Sequence, residues 1–170
     1  MRGFTLVEVM VTSVVLAILV VALFLVLSLG QRSWLSADVS IQLRQEISRA
    51  LVSMSGELSA TSPARINLIL NNPAGSVTFN IPDTSGDGIA VDTAGDIEWS
   101  PAITYSLNAA NQIQRSVAGG AVTILAGSIT ALQFTRIQNE VVRMDLTASK
   151  VSGSGSTVQD SGQAVVKLRN

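Results

Sequence analysis

The chain is 170 residues long, enough for one folded domain, with 11 basic and 12 acidic residues and neither histidine nor cysteine. Those two absences exclude disulfides, zinc sites built from Cys or His, and mechanisms that need a histidine base or a cysteine nucleophile. The formal net charge of −1 supplies no global field to recruit nucleic acid, and charged residues are only 14% of the chain against 47% hydrophobic.

The first predicted element accounts for most of the positive mean hydropathy of +0.43. From Val9 to Leu29 there are 21 residues without a charge, and only Thr12, Ser13 and Ser28 are polar. A helix of that length and composition spans a bilayer core. A removable secretory signal has an apolar region of about 7–15 residues followed by a small-x-small cleavage site. Here the run is longer and Gly30-Gln31-Arg32 follows it, so a retained transmembrane helix is expected. Flanking charge says little about orientation, with Arg2 before the span and Arg32 after it. The mass is one-sided, with about 140 residues following the span.

Glu8 sits at the entrance to this apolar run. An ionised side chain there costs several kcal/mol unless it finds a partner. Two readings follow: the carboxylate snorkels to the headgroups, or it meets a cation within an assembly. The surrounding sequence is Met1-Arg2-Gly3-Phe4-Thr5-Leu6-Val7-Glu8. This string, leading into an apolar span, resembles the class III signal of type IV pilins and type II secretion pseudopilins. The resemblance implies a prepilin leader over residues 1–3, cleaved after Gly3 by a membrane-embedded prepilin peptidase, and N-methylation of Phe4. It implies that Glu8 serves assembly by pairing with the new terminal amine of a neighbouring subunit. It further implies a single-pass protein of the cytoplasmic (inner) membrane with its C-terminal domain outside the cytoplasm. The implied partners are membrane lipid, other pilin or pseudopilin subunits and an inner-membrane assembly platform. A glycine before the scissile bond suits a tight site, because it brings no side chain. A buried charge pair at this place would fix axial register between subunits.

After the span, Leu35, Val39, Leu43, Ile47, Leu51, Met54 and Leu58 recur at spacings of three or four and form one helical stripe. Asp38, Gln42, Arg44, Gln45, Glu46, Arg49 and Glu57 lie off it. One helix from Phe4 to about Ala60, roughly 85 Å long, is expected to end before Pro63. Its transmembrane half covers residues 4–29 and its amphipathic stalk residues 30–62.

Residues 63–170 read as a β-rich globular domain. Strands are expected at Ile66–Leu70, Ser76–Ile81, Ile97–Trp99, Ile103–Leu107, Gln112–Ser116, Val122–Ala126, Ala131–Ile137, Val141–Ala148 and Val158–Leu168. Asn108–Asn111 and Gly119-Gly120 read as turns, and Ser/Gly-rich Lys150–Ser161 as a mobile hairpin loop. The expected fold class is α+β, a long N-terminal helix packed on a C-terminal antiparallel sheet. That is the pilin-like shape. The amphipathic segment Gln42–Leu58 and the closing Lys167-Leu168-Arg169-Asn170 run are similar to J-type minor pseudopilins and W-type minor pilins.

Between Arg65 and Arg115 there is no Lys or Arg, but there are Asp83, Asp87, Asp92, Asp96 and Glu98. Asp83, Ser85 and Asp87 occupy positions one, three and five of a loop with Gly88 at six, which is how an EF-hand-type calcium loop opens. Position twelve is Ala94 rather than a bidentate glutamate, so Asp92, Asp96 or Glu98 would have to fold back and complete the oxygen set. The competing reading is an acidic hairpin whose Asp side chains cap their own backbone. No other cofactor is implied. No carboxylate pair is marked by a motif, so a structural fibre subunit is expected rather than an enzyme. The alternative is a membrane-anchored extracytoplasmic binding module or adhesin that does not assemble.

Overall fold

The structure is a computed structural model that describes residues 5–84, 90–92 and 94–169. One helix, α1 (Leu6–Ala60), carries both the apolar run and the amphipathic stripe without a break. Gly30 falls inside it, where a single glycine costs about 1 kcal/mol against alanine and long flanking helices absorb that cost. The helix ends at Ala60, with Thr61 as its extended C-cap two residues before Pro63, as its sequence demands. Thr61 also ties the end down. Its Oγ1 donates to the Asn80 carbonyl at 2.6 Å, and its own carbonyl accepts from the Arg169 N–H at 2.8 Å.

The described residues after the helix form two antiparallel four-stranded sheets rather than the one expected. The strands are β1 (Pro73–Ala74), β2 (Ser76–Phe79), β3 (Ile103–Leu107), β4 (Ile113–Val117), β5 (Val122–Ala126), β6 (Ile129–Gln138), β7 (Val141–Val151) and β8 (Thr157–Lys167). One sheet runs β2-β3-β4-β5 and the other β1-β6-β7-β8, so the fold class is α+β. The short link from β1 to β2 passes the chain between the sheets.

Two expected strands do not form ladders. Ile66–Leu70 makes isolated bridges, Ile66 with Phe79 and Leu70 with Arg136. The reason is local: Asn67 Oδ1 accepts the Thr78 N–H at 2.8 Å, so a side chain occupies a donor that a strand backbone would use. Ile97–Trp99 likewise makes single bridges, to Val91 and Pro82. The Ser/Gly-rich segment is the opposite case. Strands β7 and β8 stay in register as far as Val151 opposite Thr157, leaving only Ser152–Ser156 as the turn. Polar side chains there were compatible with a strand because alternate positions of β8 face solvent.

The stripe packs as expected. Val39, Leu43, Ile47, Met54 and Leu58 are buried, joined by Ala50, while Leu51 is partly buried and Leu35 stays exposed. They meet a core that includes Phe79, Tyr105, Ile113, Phe134, Met144 and Leu146. Phe79 and Tyr105 sit with ring centroids 5.7 Å apart, inside the range of favourable aromatic pairs. Strand β8 lies along the helix. Gly162 faces Ile47 and Leu51, and a side chain there would overlap Ile47 Cγ2. Gly153, in the β7–β8 turn, faces Leu35, so the domain meets the helix soon after the apolar run and residues 30–62 are not a free stalk.

Candidate functional site

The start of the helix follows from four residues. Thr5 has an extended backbone (φ −79°, ψ 149°) and is the N-cap. Its Oγ1 accepts the Glu8 N–H at 3.3 Å, while Glu8 Oε2 accepts from the Thr5 N–H at 3.0 Å and from Thr5 Oγ1 at 3.1 Å. This is a reciprocal capping box, and it satisfies backbone donors that a helix start leaves open. The negative charge at the positive end of the helix dipole adds to it. Glu8 therefore has an intrachain role that the headgroup and assembly readings both overlooked. The Thr-x-x-Glu spacing in the sequence was the available signal.

Both of these bonds fall on Oε2. Gly3 and Phe4 lie outside the described residues. Further along, the polar side chains of the run turn inward to their own backbone. Thr12 Oγ1 donates to the Glu8 carbonyl at 2.8 Å, Ser13 Oγ to Met10 at 2.8 Å and Ser28 Oγ to Leu25 at 2.9 Å. Such bonds remove the cost of hydroxyls in an apolar medium. The apolar side chains of the run are exposed on every side, from Leu6 through Phe24 to Leu29. The helix is long and apolar enough to cross a membrane, and none of that run is buried inside the chain. Its cover has to come from lipid or from other polypeptides.

A second polar cluster ties the stalk half of α1 to the β2-β3-β4-β5 sheet. Glu57 Oε2 accepts from the Tyr105 hydroxyl at 2.8 Å, and both Glu57 oxygens accept from Arg115 Nε at 2.9 and 3.0 Å. Burial pushes the Tyr105 phenol well above its ordinary range, and the Glu57 hydrogen bond and charge push it the same way. Desolvation opposes the Arg115 charge, but the bond and charge of Glu57 outweigh it and raise its pKa. The cluster joins residues 48 and 58 positions apart. No local spacing announces it, and Glu57 reads in sequence as one more solvated charge off the stripe. The arrangement fixes the helix on the sheet and presents no nucleophile–base pair.

Of the candidate calcium residues, Ser85 and Asp87 lie outside the described residues. Asp83, Asp92 and Asp96 are placed. Asp92 Oδ1 accepts the N–H groups of Ala94 at 2.8 Å and Asp96 at 2.9 Å, and the Asp92 N–H donates to the Asp96 carbonyl at 2.8 Å. That carboxylate caps its own turn, with Gly95 at φ 91° supplying the left-handed step. Among the described residues no group of three acidic side chains is placed to hold a metal ion.

With this geometry in hand, the comparison with known families is specific. Residues 1–24 match the family model of the prokaryotic N-terminal methylation motif, the prepilin-type signal of type IV pilins and pseudopilins. The chain carries that signal at the head of a long apolar helix, and this supports a processed, pilin-like subunit whose family role is structural. No curated protein and no solved structure matches the chain.

Proposed function

We propose that this chain is a minor subunit of a type II secretion pseudopilus or a type IV pilus, cleaved after Gly3 and N-methylated on Phe4 by prepilin peptidase. It is held by a single span in the inner membrane, with the β domain on the extracytoplasmic side, and it assembles near the fibre tip with sibling subunits on an inner-membrane platform. The observation that carries the proposal is the methylation motif at residues 1–24, continuous with a helix whose apolar half is not covered by any of the described residues. The capping box supports a role for Glu8 in assembly. Among the described residues Thr5 engages Oε2 of the carboxylate, and in this reading Oε1 faces the terminal amine of a neighbour's Phe4. Pairing the two charges lowers the cost of both in lipid.

Intact mass and assembly test this together. In a host with active prepilin peptidase the mature chain should lose Met1–Gly3 and gain one methyl. Glu8→Val should still insert, because a costly charge leaves the apolar run, but should drop out of fibres. An unprocessed chain would overturn the processing step. A processed chain that never enters fibres would point instead to an anchored binding module. Normal fibre entry by Glu8→Val would refute the pairing.

A further inference from the structure

The span-facing end of the β domain lies close to the end of the apolar run. A Cβ on Gly153 would stand 3.6 Å from Leu35 Cδ2, so the Ser152–Ser156 turn packs beside Leu35. Further along the helix Asp160 bonds Arg44 at 2.7 Å, Gly162 faces Ile47, and Arg169 bonds Thr61. Strand β8 thus follows the helix from the level of Leu35 to its end, and the Ser152–Ser156 turn is the end that faces the span.

Distances along the helix place that end. The run from Val9 to Leu29 is about 31 Å at 1.5 Å per residue, which fills a hydrocarbon core of about 30 Å. Trp34 lies five residues on, about 7.5 Å further, and a headgroup layer is about 5–8 Å deep on each side. Leu35 follows about 1.5 Å beyond, at the outer edge of that layer, and because helical side chains lean back toward the N-terminus both side chains reach toward it. Trp34 is 80% exposed, although it is the largest side chain in this part of the helix. Arg32, the one charged residue in segments 30–37 and 151–157, is exposed beside it.

We propose that Trp34 and the Ser152–Ser156 turn lie in the phospholipid headgroup layer, so that the β domain rests on the membrane surface before assembly. The proposal rests on the membrane-span reading of residues 9–29. An indole, with an apolar body and a polar N–H, favours headgroup depth. Arg32 faces lipid phosphates, and the turn brings no acidic side chain to oppose them. Ser152 is already satisfied, with its N–H on the Ser156 carbonyl at 2.8 Å and its Oγ bonded to Ser154 at 2.7 Å. Approach to the headgroups therefore leaves no buried polar group of Ser152 without a partner.

The test uses the full chain in vesicles of phosphatidylcholine and phosphatidylglycerol. Because the chain has no cysteine, single variants Val20→Cys, Ser156→Cys and Ala94→Cys each take one nitroxide label. Access to oxygen and to a water-soluble nickel complex then reports depth. Trp99→Phe leaves Trp34 as the only indole for quenching by brominated lipid. The expected result is core depth at residue 20, headgroup depth at residue 156, aqueous access at residue 94, and severalfold stronger quenching of Trp34 in vesicles with bromines high on the acyl chains. Residue 156 as open to nickel as residue 94, with residue 20 still in the core, would overturn the headgroup contact and leave the span standing. Nickel access at residue 20 would overturn the span and this proposal with it.

Discussion

Gly162 is the most sensitive point of contact between helix and sheet, and its substitution by alanine sets two effects against each other. In an extended strand with room, Gly→Ala stabilises by about 0.4–1 kcal/mol, because the unfolded chain loses freedom. At Gly162 there is no room. The new methyl would overlap Ile47 Cγ2 and stand 3.2 Å from Leu51 Cδ1. Ile47 is only 4% exposed, and its Cγ2 is a branch on Cβ rather than the far end of a flexible side chain, so relieving the overlap has to shift a packed residue. Overpacking of this kind costs about 1–3 kcal/mol and outweighs the entropic gain. A mid-range overpacking cost of about 2 kcal/mol less the gain of about 0.4–1 kcal/mol leaves about 1–1.6 kcal/mol, and at about 4 °C per kcal/mol for a domain of this size Gly162→Ala should melt about 4–6 °C lower. Near-UV circular dichroism of the full chain in mild detergent reads the transition. Ile47→Ala alone should cost about 2–5 kcal/mol through the cavity it leaves. In the double variant the new methyl enters that cavity, and the two costs should fall short of additivity by at least about 1 kcal/mol. An unchanged melting temperature for Gly162→Ala, or strict additivity in the double variant, would refute the seat of the helix on β8.

The remaining predictions concern the polar contacts. Tyr105 has a folded-state pKa raised above the ordinary phenol value of about 10, chiefly by burial, so its stabilising share is fully present below pH 10 and is lost as pH rises beyond it. Stability should fall by up to about 1.4 kcal/mol per pH unit there, and Tyr105→Phe should flatten that slope. Because Tyr105 is the sole tyrosine, absorbance at the phenolate band should appear only as the domain unfolds. Asp160 is shifted the other way, held below the usual carboxylate range by the Arg44 hydrogen bond and then by the Ser161 N–H. Its contribution is present above the unfolded carboxylate pKa and is lost as pH falls through the lower folded value, so Asp160→Asn should be less acid-sensitive than the parent. Thr5→Ala removes the N-cap and should cost about 0.5–2 kcal/mol locally, read as faster hydrogen exchange of the amides at Leu6–Val9 in micelles with Thr61-end exchange unchanged.

What could be read in advance follows from how local each determinant is. The span, the helical stripe and its stop before Pro63 are written in consecutive residues, and the structure places Val39, Leu43, Ile47, Met54 and Leu58 inside as the spacing requires. Ile103–Leu107, whose first residues alternate between buried and half-buried, has the expected bounds, as does Val122–Ala126 between its turns. The division into two sheets depends on which strands pair across long stretches of chain, and no spacing encodes that. Ile66–Leu70 looked like a strand because its apolar alternation is real, but the Asn67 side chain replaces a ladder bond. The β7–β8 hairpin looked like a loop because Ser and Gly are turn residues on average, yet an outer strand tolerates them when one face is solvated. At the candidate site, the contiguous motif is what allows Gly3, Phe4 and Glu8 to be proposed from sequence, and the Thr5–Glu8 box seen in the structure is written in its Thr-x-x-Glu spacing. The Glu57–Tyr105–Arg115 cluster was not, since three elements have to fold before it exists.

The two halves of α1 face opposite demands. Residues 6–29 are apolar all round and gain nothing from the rest of the chain, whereas residues 39–58 bury one face under two sheets. A helix with no break between them transmits position from one to the other. The Thr5–Glu8 box fixes where the helix begins, and Gly162, Arg44–Asp160 and the Glu57 cluster fix where the domain sits on it. Fixing both ends makes the distance from Glu8 to the domain constant, at about 1.5 Å for each intervening residue. If the subunit assembles through its first turn, as proposed, that constancy would turn a charge pair at Glu8 into the axial register of the whole β domain. Flexibility at Gly30 would break the link. A glycine in mid-helix is the least costly place to bend it, so Gly30→Ala is expected to leave register intact while Gly30→Pro, which removes a helix bond at about 3 kcal/mol or more, should uncouple domain position from Glu8. Spin labels at a span and a domain site would show this as one narrow distance for Gly30→Ala and a broad distribution for Gly30→Pro. Equally narrow distributions in both variants would refute the coupling.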